Sequence, residues 1–291
     1  MGDVIASPSV RKLAGDCGVD LAALARSLGR QTIGREDVLG DVAAPGDAAA
    51  AGLWDVDHGA YGPVREEPLS RLAQVAARAL AAAQSQIPAV THHDRADLSA
   101  VEAFRARVSG DARQRGAKLT TLAFHVKALA RCLRDFERFN ASLGADGETL
   151  ILKGYVHIGV AVDTAHGLLV PVIRDADRKG PLRIAAEISD LASRAHARKI
   201  GPDEMGGASM TLSNLGGIGG TSFTPIVNPP EVAILGISRT ETVPLWDGDV
   251  FRPTPMAPLD LSYDHRVING ADAARFLVAY GRYLAEPRRL L

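Results

Sequence analysis

Apolar positions along this chain recur at helical spacing in some stretches and alternate in others, and the changes of period divide it into elements. Leu122, Val126, Leu129 and Leu133 fall three or four residues apart, which predicts a helix over 120–136 with one buried face. Ile184, Ile188 and Leu191 predict a second over 181–199. An alanine-rich amphipathic run predicts a third over 69–86, stopped short of Pro88, because the residue before a proline is held out of the helical region. Ser99 with Glu102 reads as a capping box opening another helix, and 271–284 reads as the last. Alternation predicts strands over 90–98, over 150–162 and over 168–173, the last two joined by a turn at His166-Gly167. Shorter strands are expected at 210–212, 232–237 and 259–262. Helices and strands mixed without strict alternation indicate an α+β fold, a sheet layered with helices, and not a doubly wound nucleotide fold.

The first forty residues have their own pattern. Ser7 is placed to cap a helix with Pro8 at its first position, where the missing N–H costs nothing. Val10, Leu13 and Ala14 then form an apolar stripe and Gly18 ends the helix. A second short helix is expected from Gly34. So small an all-α module is marginal alone. Residues 41–66, rich in alanine, glycine and proline, read as a flexible linker, in which Trp54 and Tyr61 are expected to dock on a neighbour. The domain reading is therefore a helical module at 1–40, a linker at 41–66 and a larger domain at 67–291.

Composition narrows the chemistry. A net charge of −1 supplies no basic field for nucleic acid or acidic membranes. No apolar run approaches the ~20 residues that span a bilayer. Cys17 and Cys132 form neither a disulfide framework nor a metal-ligand spacing, which suits a reduced, cytoplasmic protein. His92, His93, His125 and His157 match no metal-ligand pattern and read as ordinary strand or core histidines, so no metal is expected. Gly216-Gly217-Ile218-Gly219-Gly220 lacks the ending of a phosphate loop and reads as a glycine-rich turn.

One segment stands out chemically: Leu261-Ser262-Tyr263-Asp264-His265-Arg266-Val267-Ile268-Asn269-Gly270. It puts His265 at a strand end, four residues before an Asn-Gly turn, where an imidazole can move protons near neutral pH.

With that segment, 68–291 resembles the catalytic domain of the dihydrolipoamide acyltransferases, core components of 2-oxo acid dehydrogenase complexes, and the pyruvate-type branch most. The motifs run in order. They are Val90-Thr91-His92-His93-Asp94, Arg138-Phe139-Asn140-Ala141-Ser142-Leu143, Gly159-Val160-Ala161-Val162-Asp163-Thr164 and Gly167-Leu168-Leu169-Val170-Pro171-Val172. Thr211-Leu212-Ser213-Asn214-Leu215-Gly216-Gly217 and Asn228-Pro229-Pro230-Glu231-Val232-Ala233-Ile234-Leu235-Gly236 follow, then the His265 segment. Ala6-Ser7-Pro8-Ser9-Val10-Arg11-Lys12-Leu13-Ala14 and Gly18-Val19-Asp20-Leu21 resemble the family's peripheral subunit-binding domain, whose glycine-rich loop is here altered at Leu28–Gly34. The helix before Pro88 carries alanines where the family places basic and aromatic residues. The family's lipoyl domain has no counterpart in the sequence, so a lipoyl group is expected from elsewhere if at all.

The resemblance implies a chloramphenicol-acetyltransferase-like fold, a homotrimer that can assemble further into a cube, and acyl transfer between coenzyme A and a dihydrolipoyl thiol. It implies His265 as base, Ser213 as donor to the carbonyl oxygen and Asn269 as an orienting group where many members have aspartate. It implies an Arg266–Asp163 ion pair bracing the site, with Ser213 and His265 contributed by different chains. Arg105 and Lys153 stand where coenzyme A contacts are expected, although Arg105 also reads as a solvated helix charge, and Phe223 lines the acyl channel. The resemblance implies no permanently bound cofactor, with acetyl-CoA expected as a substrate. Residues 5–40 would dock dihydrolipoamide dehydrogenase or a 2-oxo acid decarboxylase. Two further readings stand beside this one: a free-standing acyltransferase moving an acetyl group to a small-molecule hydroxyl, as in tetronate-type secondary metabolism, and a non-catalytic scaffold, against which the intact Ser213 and His265 argue.

Overall fold

The computed structural model describes residues 4–17, 19–28, 30–42, 56–114, 119–165 and 167–291. The expected helix stop at Gly18, the turn residue His166 and the docking of Trp54 lie outside the described residues. The chain divides into two units, Met1–Pro68 and Leu69–Leu291.

The first unit contains α1 (Pro8–Cys17), α2 (Leu21–Ser27) and α3 (Arg35–Val42). Ser7 caps α1 as expected, its hydroxyl accepting the Val10 N–H at 3.3 Å. The helix α2 was not foreseen; its signal is Asp20, whose carboxylate accepts the Ala22 N–H at 2.8 Å. Val10, Ala14, Leu24, Ile33 and Val38 form a small closed core. In the described part of the linker, Asp57 caps a 3-10 turn (His58–Tyr61), and Tyr61 is exposed within the chain.

The second unit opens with α4 (Arg71–Gln86), capped by Ser70. Next come β1 (Ala89–Asp97), α5 (Ser99–Gln114) and α6 (Thr121–Asp135). The capping box at the start of α5 is not formed. Ser99 is already helical, the Asp97 carboxylate accepts its N–H at 2.7 Å, and Glu102 instead binds Arg105 and the Thr121 hydroxyl.

The expected strand over 150–162 is broken into short pieces that serve different sheets. β2 (Ala141–Leu143) pairs with its first piece, β3 (Leu150–Leu152); β4 (Ile158–Val160) is the second, and β5 (Val162–Thr164) begins at its end and pairs with β6 (Gly167–Leu169), while the expected strand over 168–173 divides between β6 and β7 (Val172–Ile173). After α7 (Pro181–His196) come β8 (Met210–Asn214), β9 (Ala233–Ile237), β10 (Glu241–Trp246), β11 (Phe251–Asp264) and α8 (Gly270–Ala285). The main sheet runs β1-β11-β9-β8-β4-β7, with β10 paired to β11. Its β4-β8 and β8-β9 pairs are parallel and the others antiparallel.

The β10–β11 hairpin was missed because Pro244, Pro253, Pro255 and Pro258 argue against a strand. The register accommodates them: Pro244 faces Pro253, and Pro255 faces Thr242. Neither proline of the facing pair has an N–H to give the other. These pairs therefore sit at the rungs where backbone groups of antiparallel strands point away from each other.

Alternation along the strands separates two faces. Ala257, Leu259, Leu261 and Tyr263 of β11, with Met210 and Leu212 of β8, enter the core. Over it lies α6, buried on nearly every side and packed against α7 and α8. Burying side chains such as Phe124, Leu129 and Leu133 stabilises the fold by about 1.5–3 kcal/mol each. Phe139 stacks on Phe276 at 4.2 Å between centroids, tying the segment after α6 to α8. The opposite face of the sheet is polar: Thr211, Asp260, Ser262 and Asp264 are buried there, with Thr91 half-buried and His93 exposed beside them.

Candidate active site

His265 follows directly on Asp264, the last residue of β11, in a turn closed by the Val267 and Ile268 N–H groups donating to the Asp264 carbonyl at 3.0 Å. Its own N–H donates to the Pro88 carbonyl at 3.1 Å, so the start of β1 and this turn hold one another. The imidazole is exposed and lies near the Tyr263 ring, 5.9 Å between centroids. Asn269 is the N-cap of α8, with its side-chain oxygen accepting the Asp272 N–H at 2.9 Å.

Within one chain Arg266 does not pair with Asp163. Its guanidinium is held by Asp264, with contacts of 2.9 and 2.6 Å to the two carboxylate oxygens, and the Arg266 backbone N–H donates to the same carboxylate at 3.0 Å. The cause is local. The turn folds the chain back on itself, so a carboxylate two residues earlier meets the guanidinium fork side-on. Asp163 lies exposed on β5, in a separate two-stranded sheet.

Ser213 sits on β8, half-buried on the polar face, opposite Gly236 of β9, which in turn faces Asp260 of β11. Ser213 and His265 are not brought together in one chain. They are two strands apart across the sheet, about 9.5 Å, and five residues apart along it, about 16.5 Å, which places them ~19 Å from each other.

Phe223 packs over Gly236, where a Cβ would come within 2.6 Å of its ring. Lys153 donates to the Ala208 carbonyl at 3.3 Å, and desolvation lowers its pKa against the opposing pull of Glu231. Arg105 is engaged by Glu102 of its own helix, so the two expected coenzyme A contacts have separate partners on separate elements.

Sequence reasoning missed two polar groups on this side of the molecule. Glu231 is 5% exposed and accepts the Thr211 hydroxyl at 2.9 Å, while its other carboxylate oxygen has no partner among the described residues; burial pushes its pKa up to about 7. Asp260, 1% exposed, gathers His93, Ser222, Ser238 and the Phe223 N–H. Of the histidines weighed as metal ligands, His125 is buried against the Tyr280 hydroxyl at 2.6 Å, and burial pushes its pKa down to about 4. His157 accepts the Asp175 N–H at 3.0 Å. Among the described residues no group of three or more His, Cys, Asp or Glu side chains could hold a metal.

Residues 61–291 match the family model described as 2-oxoacid dehydrogenases acyltransferase (catalytic domain), and residues 4–39 match the E3 binding domain. The dihydrolipoyllysine-residue acetyltransferase component of the pyruvate dehydrogenase complex of Pseudomonas aeruginosa is 48% identical over 99% of this chain and 55% of its own length. The chain spans about half the length of the curated relatives it matches. Among solved structures, the dihydrolipoamide acetyltransferase of Azotobacter vinelandii, studied for the roles of a serine, a histidine and an asparagine in its catalytic mechanism, is 51% identical with a TM-score of 0.79, covering 81% of this chain and 97% of that one. The cubic core of a pyruvate dehydrogenase multienzyme complex matches with the same identity, score and coverage. No helix among the described residues is long and apolar enough to cross a membrane. With the catalytic-domain model spanning most of its length, this chain belongs to the 2-oxoacid dehydrogenase acyltransferase family.

Proposed function

We propose that this chain transfers an acetyl group between coenzyme A and a dihydrolipoyl thiol, in active sites built between the chains of a trimer. One observation carries the reading. Ser213, His265 and Asn269 occur in the same order and at the same spacing as the serine, histidine and asparagine of the Azotobacter vinelandii acetyltransferase. Their separation of ~19 Å within one chain supports assembly of the site from two.

A thiol is mostly protonated at neutral pH, so a ring nitrogen of His265 takes the proton as sulfur attacks the thioester carbonyl carbon. The carbonyl oxygen gains the negative charge, and the Ser213 hydroxyl donates a hydrogen bond to it. Collapse of the intermediate expels the second thiolate, which recovers the proton from the imidazolium. Asn269, fixed by its capping bond, presents its amide N–H groups toward this step without adding charge. Phe223 walls the acyl pocket beside Ser213. Lys153 and Arg105 are proposed to meet the anionic end of coenzyme A, Arg105 by exchanging its Glu102 partner for phosphate.

In this reading residues 4–39 dock dihydrolipoamide dehydrogenase or a 2-oxo acid decarboxylase, trimers assemble into a cubic core, and the protein works in the cytoplasm. The test supplies purified protein with acetyl-CoA and free dihydrolipoamide. Acetyl-dihydrolipoamide is expected, and His265→Ala should lower kcat by about 100- to 10,000-fold. A folded trimer that forms none, or a His265→Ala variant with full activity, refutes the assignment.

A further inference from the structure

Ser213, Gly236, Asp260 and His93 are successive register partners on four adjacent strands. Paired residues project to the same side of a sheet, so these positions form one row on the polar face. At Gly236 the row has no side chain, and the Phe223 ring occupies the gap. A Cβ there would lie 2.6 Å from the ring Cζ and 3.2 Å from the Asp260 Cβ. Phe223 is thus wedged between Ser213 and Asp260.

Asp260 is what fastens it. One carboxylate oxygen accepts the Phe223 N–H at 3.2 Å and the Ser238 hydroxyl at 3.4 Å; the other accepts the Ser222 hydroxyl at 2.6 Å and meets His93 Nδ1 at 2.7 Å. The Ser222 hydroxyl lies 3.0 Å from the same His93 nitrogen. A serine, histidine and aspartate in contact invite a hydrolytic reading, but the arrangement is wrong for one. The hydroxyl gives its proton to the carboxylate and sits at the ring nitrogen that the carboxylate also uses, whereas an activated serine needs the opposite nitrogen. The assembly is a clamp. It is needed because the segment leading from β8 to Phe223 is rich in glycine, with Gly220 at φ +84°, and has little stiffness of its own.

We propose that Asp260, with His93 and Ser222 as its donors, is a positioning residue of the acyl-transfer site: it fixes the Phe223 ring against Gly236 and thereby sets the room beside Ser213. The proposal rests on the acyl-transfer reading above. Its test measures kcat/KM for acetyl-CoA and for isobutyryl-CoA, with free dihydrolipoamide, in the full chain and in Asp260→Ala, Phe223→Ala and the double variant. Asp260→Ala should lower the preference for acetyl about tenfold, the scale on which an apolar pocket discriminates small groups. It should bring the preference to the Phe223→Ala value, and the double variant should shift it no further.

An unchanged preference, or a shift that adds to that of Phe223→Ala, overturns the proposal, even where both rates fall together as lost stability would make them. Should Asp260→Ala fail to fold, His93→Ala combined with Ser222→Ala removes two of the four donors and is read by the same ratio. Failure of the underlying reading looks different: Ser213→Ala would then keep full acetyl transfer. Loss of transfer in Ser213→Ala, with the preference intact in the Asp260 variants, overturns the clamp alone.

Discussion

If the distance between Ser213 and His265 is as the strand register sets it, two inactive proteins should make an active one. Ser213→Ala lacks the oxyanion donor and His265→Ala lacks the base, so each alone should fall at least ~100-fold in kcat. A gap of ~19 Å, two strands across and five residues along, is several times the reach of both side chains, so neither could rescue itself. In a cyclic trimer each site takes its serine from one chain and its histidine from the next. With the two variants mixed at random, a site is whole when a His265→Ala chain supplies the serine and a Ser213→Ala chain the histidine. That arises at about one quarter of all sites, and at about one site in three within the mixed trimers that tandem purification selects. Co-expression of differently tagged chains, tandem purification and an acetyl-CoA assay with dihydrolipoamide would measure it. A mixture no more active than its parents, with mixed trimers demonstrated, would refute the shared-site argument and require Ser213 and His265 to meet in one chain.

The cap that Asn269 makes on α8 can be tested by substitution. Asn269→Ala loses the cap on α8 and should cost about 1 kcal/mol in a urea titration, whereas Asn269→Asp keeps an acceptor at the helix start and should hold stability. Glu231, pushed by burial from 4.5 to about 7, binds its proton more tightly folded than unfolded, so its contribution is fully present below 4.5 and is lost as pH rises through about 7. The stability of Glu231→Gln relative to the parent should therefore grow by ~3 kcal/mol across that window. His125, depressed to about 4, acts in the opposite sense over an overlapping range, so the difference between the two proteins isolates the effect and either melting curve alone does not. A difference that stays constant with pH would mean that Glu231 titrates normally.

The elements with one strong period were legible in the sequence. The stripe of Leu122, Val126, Leu129 and Leu133 gave α6 because packing reinforces what the spacing proposes. Where two local signals competed, reading failed. Ser99 and Glu102 have the spacing of a capping box, but Asp97 reaches the Ser99 N–H first and Thr121 and Arg105 take Glu102. Prolines hid the β10–β11 hairpin, since a strand is ruled out only where a proline's missing N–H faces its partner. Arg266 was expected to find a distant partner and found its neighbour Asp264, a geometry set by the turn. The positions of His265, Ser213 and Asn269 could be read from motifs. The Asp260 clamp could not, because His93 and Asp260 are 167 residues apart and nothing local in the sequence links the two.

The facing prolines of the hairpin have a consequence for solubility. Beyond its pairing with β11, β10 has no other strand among the described residues, and it carries exposed Leu245 and Trp246. A bare edge with apolar side chains is a template on which other chains can align. At Pro244 the outward rung offers no hydrogen to an incoming strand, so a ladder growing along this edge meets a gap midway. The residue that made the strand hard to recognise is also what keeps it from recruiting another.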